Sequence, residues 1–241
     1  MTGSLPRRTL LVLALAGAAA GCTRAVRGSG PAPTSPPAPS TGPSVEVVNG
    51  LRTRPEVALT FHASGDPQIA TRVLAALAAG GAKVTVFAVG TWLRDNPTMA
   101  KAITSAGHEL ANHTFTHPTL ETLDEAGIRA ELLRCRDELT RLSGGPGVYA
   151  RQSGAQYSTP LIRQVAGSLG YRTVVSYDID SLDFTDPGAA VVRRQVTAAT
   201  GGSIVSMHFG HQDTVTALPG VLSDLAARGL KPVTVSTLLR A

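Results

Sequence analysis

Residues 107–118 read GHELANHTFTHP, and this stretch is the most informative one for the fold. Its part Glu109–Asn112 is a short run that we predict as a strand, and a polar segment follows it directly. His113 and His117 lie four residues apart in that segment, so one helical turn would project both imidazoles to the same side. The stretch therefore predicts a strand that leads into two histidines able to bind one divalent ion.

Short apolar runs alternate with helical patterns from about residue 46 onward. Such alternation within one domain predicts an α/β fold, in which helices cover a parallel sheet. The predicted strands are Val57–Phe61, Val84–Val89, Glu109–Asn112, Val148–Arg151, Thr173–Ser176, Ile204–His208 and Pro232–Val235. The predicted helices are 68–79, 97–106, 123–142, 159–169, 187–199 and 214–228. Seven strands can form an open sheet or a distorted barrel, and periodicity does not choose between them.

The N-terminal part of the chain has a different composition. Residues 1–22 contain two arginines, a short apolar run and small residues before Cys22, an order that predicts a signal peptide with a lipobox-like end. A lipid on Cys22 would then hold an exported protein at the outer face of the cell membrane; a plain secretory leader is the alternative. Residues 23–45 are rich in Pro and Ser and predict a tether, which leaves 46–241 as the folded domain.

Composition excludes several classes of protein. The 241-residue chain is 43% hydrophobic and 16% charged, which is typical of a globular protein and excludes a mostly disordered one. The net charge is only +5 and no Lys/Arg run or recognition motif occurs, so we expect no nucleic-acid partner. Two cysteines cannot form a disulfide framework, and Cys135 lies on an apolar helical stripe, where we expect a buried thiol.

Polar side chains collect at the ends of five predicted strands. In parallel α/β folds the loops after the carboxyl ends of the strands converge, and chemistry is found there. The residues at these ends are His62 and Asp66, His113 and His117, Arg151, Asp183, and His208.

The motifs, in this order, resemble the polysaccharide deacetylase (NodB-homology) family over roughly residues 46–240. The segments that carry the resemblance are 58–90, 107–118, 177–184, 202–208 and 230–239. The resemblance implies a distorted (β/α) barrel of about seven parallel strands. It also implies a metal-dependent hydrolase that removes N- or O-acetyl groups from an extracellular or cell-wall amino-sugar polymer. We expect such a protein to be a monomer.

The family pattern also implies roles for individual residues. It assigns His113 and His117 as ligands of a divalent metal, which we expect to be zinc. It assigns His208 as the general acid, Asp183 as the carboxylate that orients it, and Arg151 as support for the catalytic base. A bound ion of this kind lowers the pKa of its water and polarises a carbonyl group.

The first motif departs from that pattern. The family has two adjacent aspartates after Thr-Phe, one a base and one a metal ligand, whereas this chain reads His62-Ala63. We predict Asp66 as the third metal ligand. His62 is one candidate for the base, and a histidine packed beside the site is the other interpretation of this residue. Alternatively, Asp66 is the base and the metal site is weaker. The departure also supports a second functional hypothesis, a catalytically impaired relative that acts as a carbohydrate-binding module.

The sequence departs from the family pattern at two further positions, and two other histidines lie near the motifs. Arg151 is followed by Gln152 rather than by the usual prolines and an aromatic residue, and Phe184 stands where tryptophan is usual. We expect His108 to lie in a strand under the site and His211 in the loop after His208, both outside the catalytic set.

Overall fold

A mostly parallel β-sheet runs through the part of the protein that the computed structural model describes, residues 42–240. The predicted signal peptide with Cys22, and tether residues 23–41, lie outside the described residues. Within residues 42–240, no helix has the length and apolar character needed to cross a membrane.

The elements follow the predicted alternation. The strands are β1 (Val45–Val47), β2 (Glu56–Ala63), β3 (Thr85–Ala88), β4 (Glu109–Asn112), β5 (Thr173–Val175), β6 (Ile179–Asp180), β7 (Ile204–His208) and β8 (Lys231–Pro232). The helices are α1 (Pro67–Ala79), α2 (Gly90–Asp95), α3 (Pro97–Ser105), α4 (Glu125–Ser143), α5 (Pro160–Ser168), α6 (Ala189–Val196), α7 (Gln212–Ala227) and α8 (Val235–Leu238). Short 3₁₀ helices cover Leu120–Thr122 and Asp183–Thr185.

The strands wrap into a distorted (β/α) barrel. One set has the order β4-β3-β2-β7-β6, with β8 also paired to β2, and β1 pairs with β5. Ala150 joins the two sets through parallel bridges to Asn112 of β4 and Val174 of β5. Hydrogen bonds among the described residues do not close the barrel completely. Because the paired strands are parallel, their carboxyl ends meet at one rim.

Strand β2 shows how the pattern of the sequence divides the core. Val57, Leu59 and Phe61 are fully buried in the cluster that also contains the buried apolar residues of α1 and α7. Ala58 belongs to a second cluster with side chains of β3, β4, β5 and β7. Burial of a side chain as large as Leu or Phe contributes about 1.5–3 kcal/mol. Because successive side chains alternate in direction, His62 shares the face of Ala58, inside the barrel.

The prediction for Cys135 is confirmed. Its side chain is fully buried in the core, and its thiol contacts the carbonyl oxygen of Ala88. Burial raises the pKa of this thiol to about 12, so it is an unreactive core residue.

Two predicted strands differ from the structure. Val148–Arg151 reduces to the single bridging residue Ala150, because Gly147 has a φ of +75° and turns the chain just before it. In Pro232–Val235 only Pro232 is in a strand, since the Thr234 side chain caps α8 and ends extended structure. The strands β1 and β6 and the helix α2 are too short to produce a periodic signal.

The capping signals in the sequence predict the end of helix α4 but not its first residue. The motif Thr122–Glu125 predicts a start at residue 123, but Asp124 is the N-cap and accepts a hydrogen bond from the Gly127 amide at 2.8 Å. Gly144 ends the helix as predicted, with a φ of +79° that favours glycine.

The last residues of the predicted tether contact the barrel. The Ser44 amide donates to the carbonyl oxygen of Arg163 at 2.9 Å, and its hydroxyl donates to that of Tyr171 at 2.5 Å. Val45 begins β1 and pairs with Thr173 of β5. Residues 44–47 are therefore part of the folded structure.

We predict that removing residues 1–41 leaves the melting temperature unchanged, whereas removing 1–47 lowers it by about 5–10 °C. The longer deletion removes the Ser44 hydrogen bonds and the β1–β5 pairing, and each buried hydrogen bond contributes about 1 kcal/mol. Differential scanning calorimetry of the two truncated proteins measures the difference. Equal melting temperatures would show that β1 does not stabilise the barrel.

Candidate active site

Four histidines meet at the rim formed by the carboxyl ends of β2, β4 and β7. His62 of β2 lies opposite His208, the last residue of β7, in the parallel register. His113 and His117 follow β4. They line a cavity of about 290 Å³ that we call the histidine pocket. Its lining residues are His62, His113, His117, Gln152, Gly154, Ala155, Gln156, Tyr177, Asp180, Phe184 and His208.

His113 and His117 converge as the sequence predicts. The Nδ1 atom of His113 lies 3.1 Å from the carbonyl oxygen of Arg151. Because a carbonyl oxygen only accepts, Nδ1 carries the proton, and the lone pair on Nε2 can either accept a hydrogen bond from His117 or bind a metal. The Nε2 atoms of the two histidines are 3.1 Å apart, close to the roughly 3.3 Å expected for two ligands of one tetrahedral zinc ion. Burial lowers the pKa of both rings, most strongly for His113, so they are neutral at pH 7.

A pinned loop, rather than a helical turn, brings the two rings together. Thr114 and His117 have φ values of +66° and +61°, in the left-handed region that non-glycine residues rarely adopt. The carboxylate of Glu131 in α4 accepts hydrogen bonds from the amides of Phe115 at 2.9 Å and Thr116 at 2.7 Å. Helix α4 thus holds the strained loop in place.

Both ring nitrogens of His62 are engaged. Its Nε2 lies 3.0 Å from Nη1 of Arg151, and its Nδ1 lies 2.9 Å from Nε2 of His208. A guanidinium only donates, so Nε2 of His62 accepts and Nδ1 carries the proton, which it donates to His208. The ring also stacks on His113 at 4.2 Å between centroids. Burial, followed by the nearby His113, His208 and Arg151, holds the pKa of His62 well below its usual value.

Arg151 is anchored before it reaches His62. Its side chain is 1% exposed, and it donates from Nε to the carbonyl oxygen of Val175 at 2.7 Å and from Nη2 to that of Ser176 at 3.2 Å. Its guanidinium lies over the ring of Phe87 at 4.1 Å. Burial lowers its pKa to about 9, so it stays charged at neutral pH.

Asp183 and His208 form a hydrogen-bonded pair. Oδ1 of Asp183 lies 2.7 Å from Nδ1 of His208, and Oδ2 accepts from the His208 amide at 2.7 Å and from the Thr214 hydroxyl at 2.6 Å. Burial alone would raise the pKa of Asp183, but the bonds from His208 and Thr214 outweigh it and lower that pKa overall. Arg151 therefore donates a hydrogen bond to His62, His62 donates to His208, and His208 donates to Asp183.

Asp66 does not join the histidines, and its predicted role as metal ligand or base is wrong in this geometry. It is exposed and caps α1, where Oδ1 accepts from the Gln68 amide at 2.8 Å. Gly65 turns the chain with a φ of +79° and Pro67 begins the helix, so Asp66 takes the N-cap position. Within residues 42–240, no group of three or more His, Cys, Asp or Glu could hold a metal ion. The residues present thus offer an ion two ligands, without the third one that the sequence predicted.

The other predicted histidines lie outside the pocket. His108 was expected in a strand, but it is buried directly before β4, where its Nδ1 accepts from the Val84 amide at 3.3 Å. His211 pairs with Asp186 at 3.1 Å. No role was predicted from the sequence for the pocket residues Gln152, Gln156 and Tyr177. For Gln152 a signal was present, because the residues after Arg151 differ from the family pattern.

A parallel strand arrangement with paired histidines and a His–Asp pair at its carboxyl rim places the chain among the (β/α) barrels whose polar site lies at that rim. A sequence model described as "Polysaccharide deacetylase" matches residues 50–174. The chain is 31% identical to a peptidoglycan-N-acetylglucosamine deacetylase from Bacillus cereus, over 76% of this chain and 88% of that protein. Within the class, the chain therefore belongs to the polysaccharide deacetylase family.

Two further similarities bear on the site. The chain is 34% identical to a chitin deacetylase from Pestalotiopsis sp, over 76% of this chain and 63% of that protein. Its fold matches a crystal structure of a BA3943 mutant, described as a CE4 family pseudoenzyme with restored enzymatic activity, at a TM-score of 0.77 and 25% identity. That match covers 81% of this chain and 71% of the other; BA3943 comes from Bacillus anthracis.

We predict that Asp183→Asn lowers the free energy of unfolding at pH 7 by about 2–3 kcal/mol. The amide would direct an N–H group toward the buried donors of His208 or Thr214. Asp183 has a lowered pKa in the folded state, so its stabilisation is complete above the ordinary carboxyl pKa of 3.8 and is lost as the pH falls further. The difference from wild type should therefore narrow below about pH 4.

Urea unfolding at several pH values measures this effect. The matched control is Asp186→Asn, because Asp186 is exposed and also pairs with a histidine. A loss of stability no larger than that of the control would contradict the role assigned to Asp183.

Proposed function

We propose that this protein binds an acetylated amino-sugar polymer of the cell envelope in the histidine pocket, and that its deacetylation activity is impaired. The observation that carries the proposal is the engagement of both His62 nitrogens at the position of the family's base. Histidine in this place is a hydrogen-bonded part of the wall rather than a free base.

Hydrolysis of an acetamide needs a base that activates water and an acid that protonates the leaving amine. His62 donates its proton to His208 and accepts from Arg151, so it has no free nitrogen to take a proton from water. Nε2 of His208 accepts that same bond, so it has no proton to give while the contact holds. Loss of general acid–base assistance costs a factor of about 10² to 10⁴ in rate.

The ligand class follows from the relatives and the pocket. Two relatives are named for deacetylation of peptidoglycan N-acetylglucosamine and of chitin, which are both polymers of acetylated amino sugars. The described pocket is open at the rim and includes the partly exposed ring of Phe184, a surface on which a sugar can stack. The BA3943 protein, whose mutant is a structural neighbour, is described as a CE4 family pseudoenzyme, and this supports the proposal that activity is impaired.

The second candidate is the metal-dependent deacetylase that the sequence predicts, acting on N- or O-acetyl groups. Two observations favour it, the 3.1 Å separation of the His113 and His117 Nε2 atoms and the Asp183–His208 pair. A divalent ion held by these two histidines would supply an activated water when bound. In this candidate His62 must leave His208, so that His208 can carry a proton on Nε2.

We predict that the variant His62→Asp releases acetate at least about 100-fold faster than wild type. The carboxylate introduced at position 62 would accept from Arg151 without blocking His208. Acetate release from chito-oligomers and peptidoglycan in the presence of zinc is the measurement, beside binding of the same oligomers.

The matched control is His62→Asn, which has nearly the same shape as the aspartate without the negative charge and should stay at background. His62 is hydrogen-bonded to Arg151 and His208, so calorimetry must first show that both variants are folded. Acetate release by wild type at the rate of the aspartate variant, and above that of the control, would establish the active deacetylase instead.

We also propose where the protein is located. An exported protein with a lipid on Cys22 would hold the pocket at the outer face of the membrane, next to an envelope polymer. The alternative is a secreted protein, which would reach the same polymer by diffusion.

We predict that Cys22→Ser moves the protein from the membrane fraction to the soluble fraction, because the acylated side chain is removed. Fractionation followed by immunoblotting detects the change. Cys135→Ala is the control and should stay with membranes, since Cys135 is a buried core residue. Membrane association of the Cys22→Ser variant would favour another mode of attachment.

A further inference from the structure

The Gln152 carboxamide lies in the wall of the histidine pocket, directly after Arg151. The residue is 2% exposed. Its Nε2 donates to the carbonyl oxygens of Gln156 at 2.6 Å and Ala155 at 3.3 Å, and it lies 3.3 Å from the Ser176 hydroxyl oxygen. The hydroxyl of Ser176 itself donates to Glu46, so its oxygen accepts from Gln152.

These contacts fix which way the amide faces. A carbonyl oxygen only accepts hydrogen bonds, so the NH₂ group must face Gln156 and Ala155. Reversing the amide would place Oε1 against two carbonyl oxygens. The NH₂ group of Gln152 therefore has its hydrogen-bond partners, whereas the Oε1 atom faces away from them.

Oε1 of Gln152 is buried and has no hydrogen-bond partner among residues 42–240. Buried polar atoms are nearly always paired, and one left unpaired costs free energy. A buried, unpaired acceptor in a residue that lines the pocket is explained when a bound ligand supplies the missing donor. It is also this chain's own feature, because the family's usual proline offers no side-chain acceptor here.

We propose that Gln152 is a specificity-determining residue, whose Oε1 accepts a hydrogen bond from the amide N–H of an acetamido sugar. This inference rests on the proposed function, that the pocket binds an acetylated amino sugar. An acetamido group combines one N–H donor with an apolar methyl group, and the pocket lining offers apolar surface at Ala155 and Phe184. An acetyl ester lacks the N–H and leaves Oε1 unpaired, so the site selects amides over esters.

Isothermal titration calorimetry with two tetrasaccharides tests this selection. One is the β-1,4-linked N-acetylglucosamine tetramer, and the other is a β-1,4-linked glucose tetramer acetylated on its 2-hydroxyls, which has the same shape without the N–H. Wild type should bind the amide about tenfold more tightly than the ester. Gln152→Met, which has similar length but neither amide atom, should reduce that ratio to near one.

Gln156→Met is the matched control. Gln156 lines the same wall and donates to the carbonyl oxygen of Tyr177 at 2.9 Å, but its oxygen is not a buried unpaired atom. The control should leave the amide-to-ester ratio unchanged.

The outcomes separate this inference from the proposed function. If Gln152→Met weakens both ligands equally, the residue only supports the loop and the inference is overturned, whereas the proposed function stands. If wild type binds both ligands equally, the inference is overturned. This comparison needs no variant, so it remains decisive even if Gln152→Met does not fold. If wild type binds neither tetrasaccharide, the proposed function itself is overturned.

Discussion

The hydrogen bond from the buried Arg151 guanidinium to Nε2 of His62 is the contact on which the rest of the site depends. Because a guanidinium can only donate, it fixes the proton of His62 on Nδ1 and directs that proton to His208. The Asp183 carboxylate in turn accepts a hydrogen bond from Nδ1 of His208. One fixed donor and one fixed acceptor thus determine the protonation of the two histidines between them.

The fold makes this series possible through strand register. Parallel pairing places His62 of β2 opposite His208 of β7, and the bridge of Ala150 to β4 and β5 brings Arg151 to the same rim. An aspartate at position 62 could accept from Arg151 and leave His208 free. In the proposed function, His62 keeps the contacts with Arg151 and His208 and is a structural residue rather than a base.

The sequence predicted much of this structure, but not all of it. Strands β4 and β7 were predicted to the residue because clear breaks bound their apolar runs, whereas the two-residue β6 is too short for any periodic signal. His113 and His117 were placed together by spacing, although a left-handed loop rather than a helix joins them. Asp66 was misassigned because a helix N-cap and a metal ligand look alike in sequence. The two contacts of His62 arise from residues 89 and 146 positions away, which local patterns do not reveal.

The most direct test of this account is the tautomer of His62, measured by imidazole ¹⁵N NMR of the protein without residues 1–41 at pH 7. We expect a neutral His62 ring protonated on Nδ1, whose signals do not change when zinc is added, while those of His113 and His117 do. A His62 ring protonated on Nε2, or one whose nitrogen signals move with the zinc-bound pair, would contradict it. Either result would mean that His62 takes part in metal binding or proton transfer.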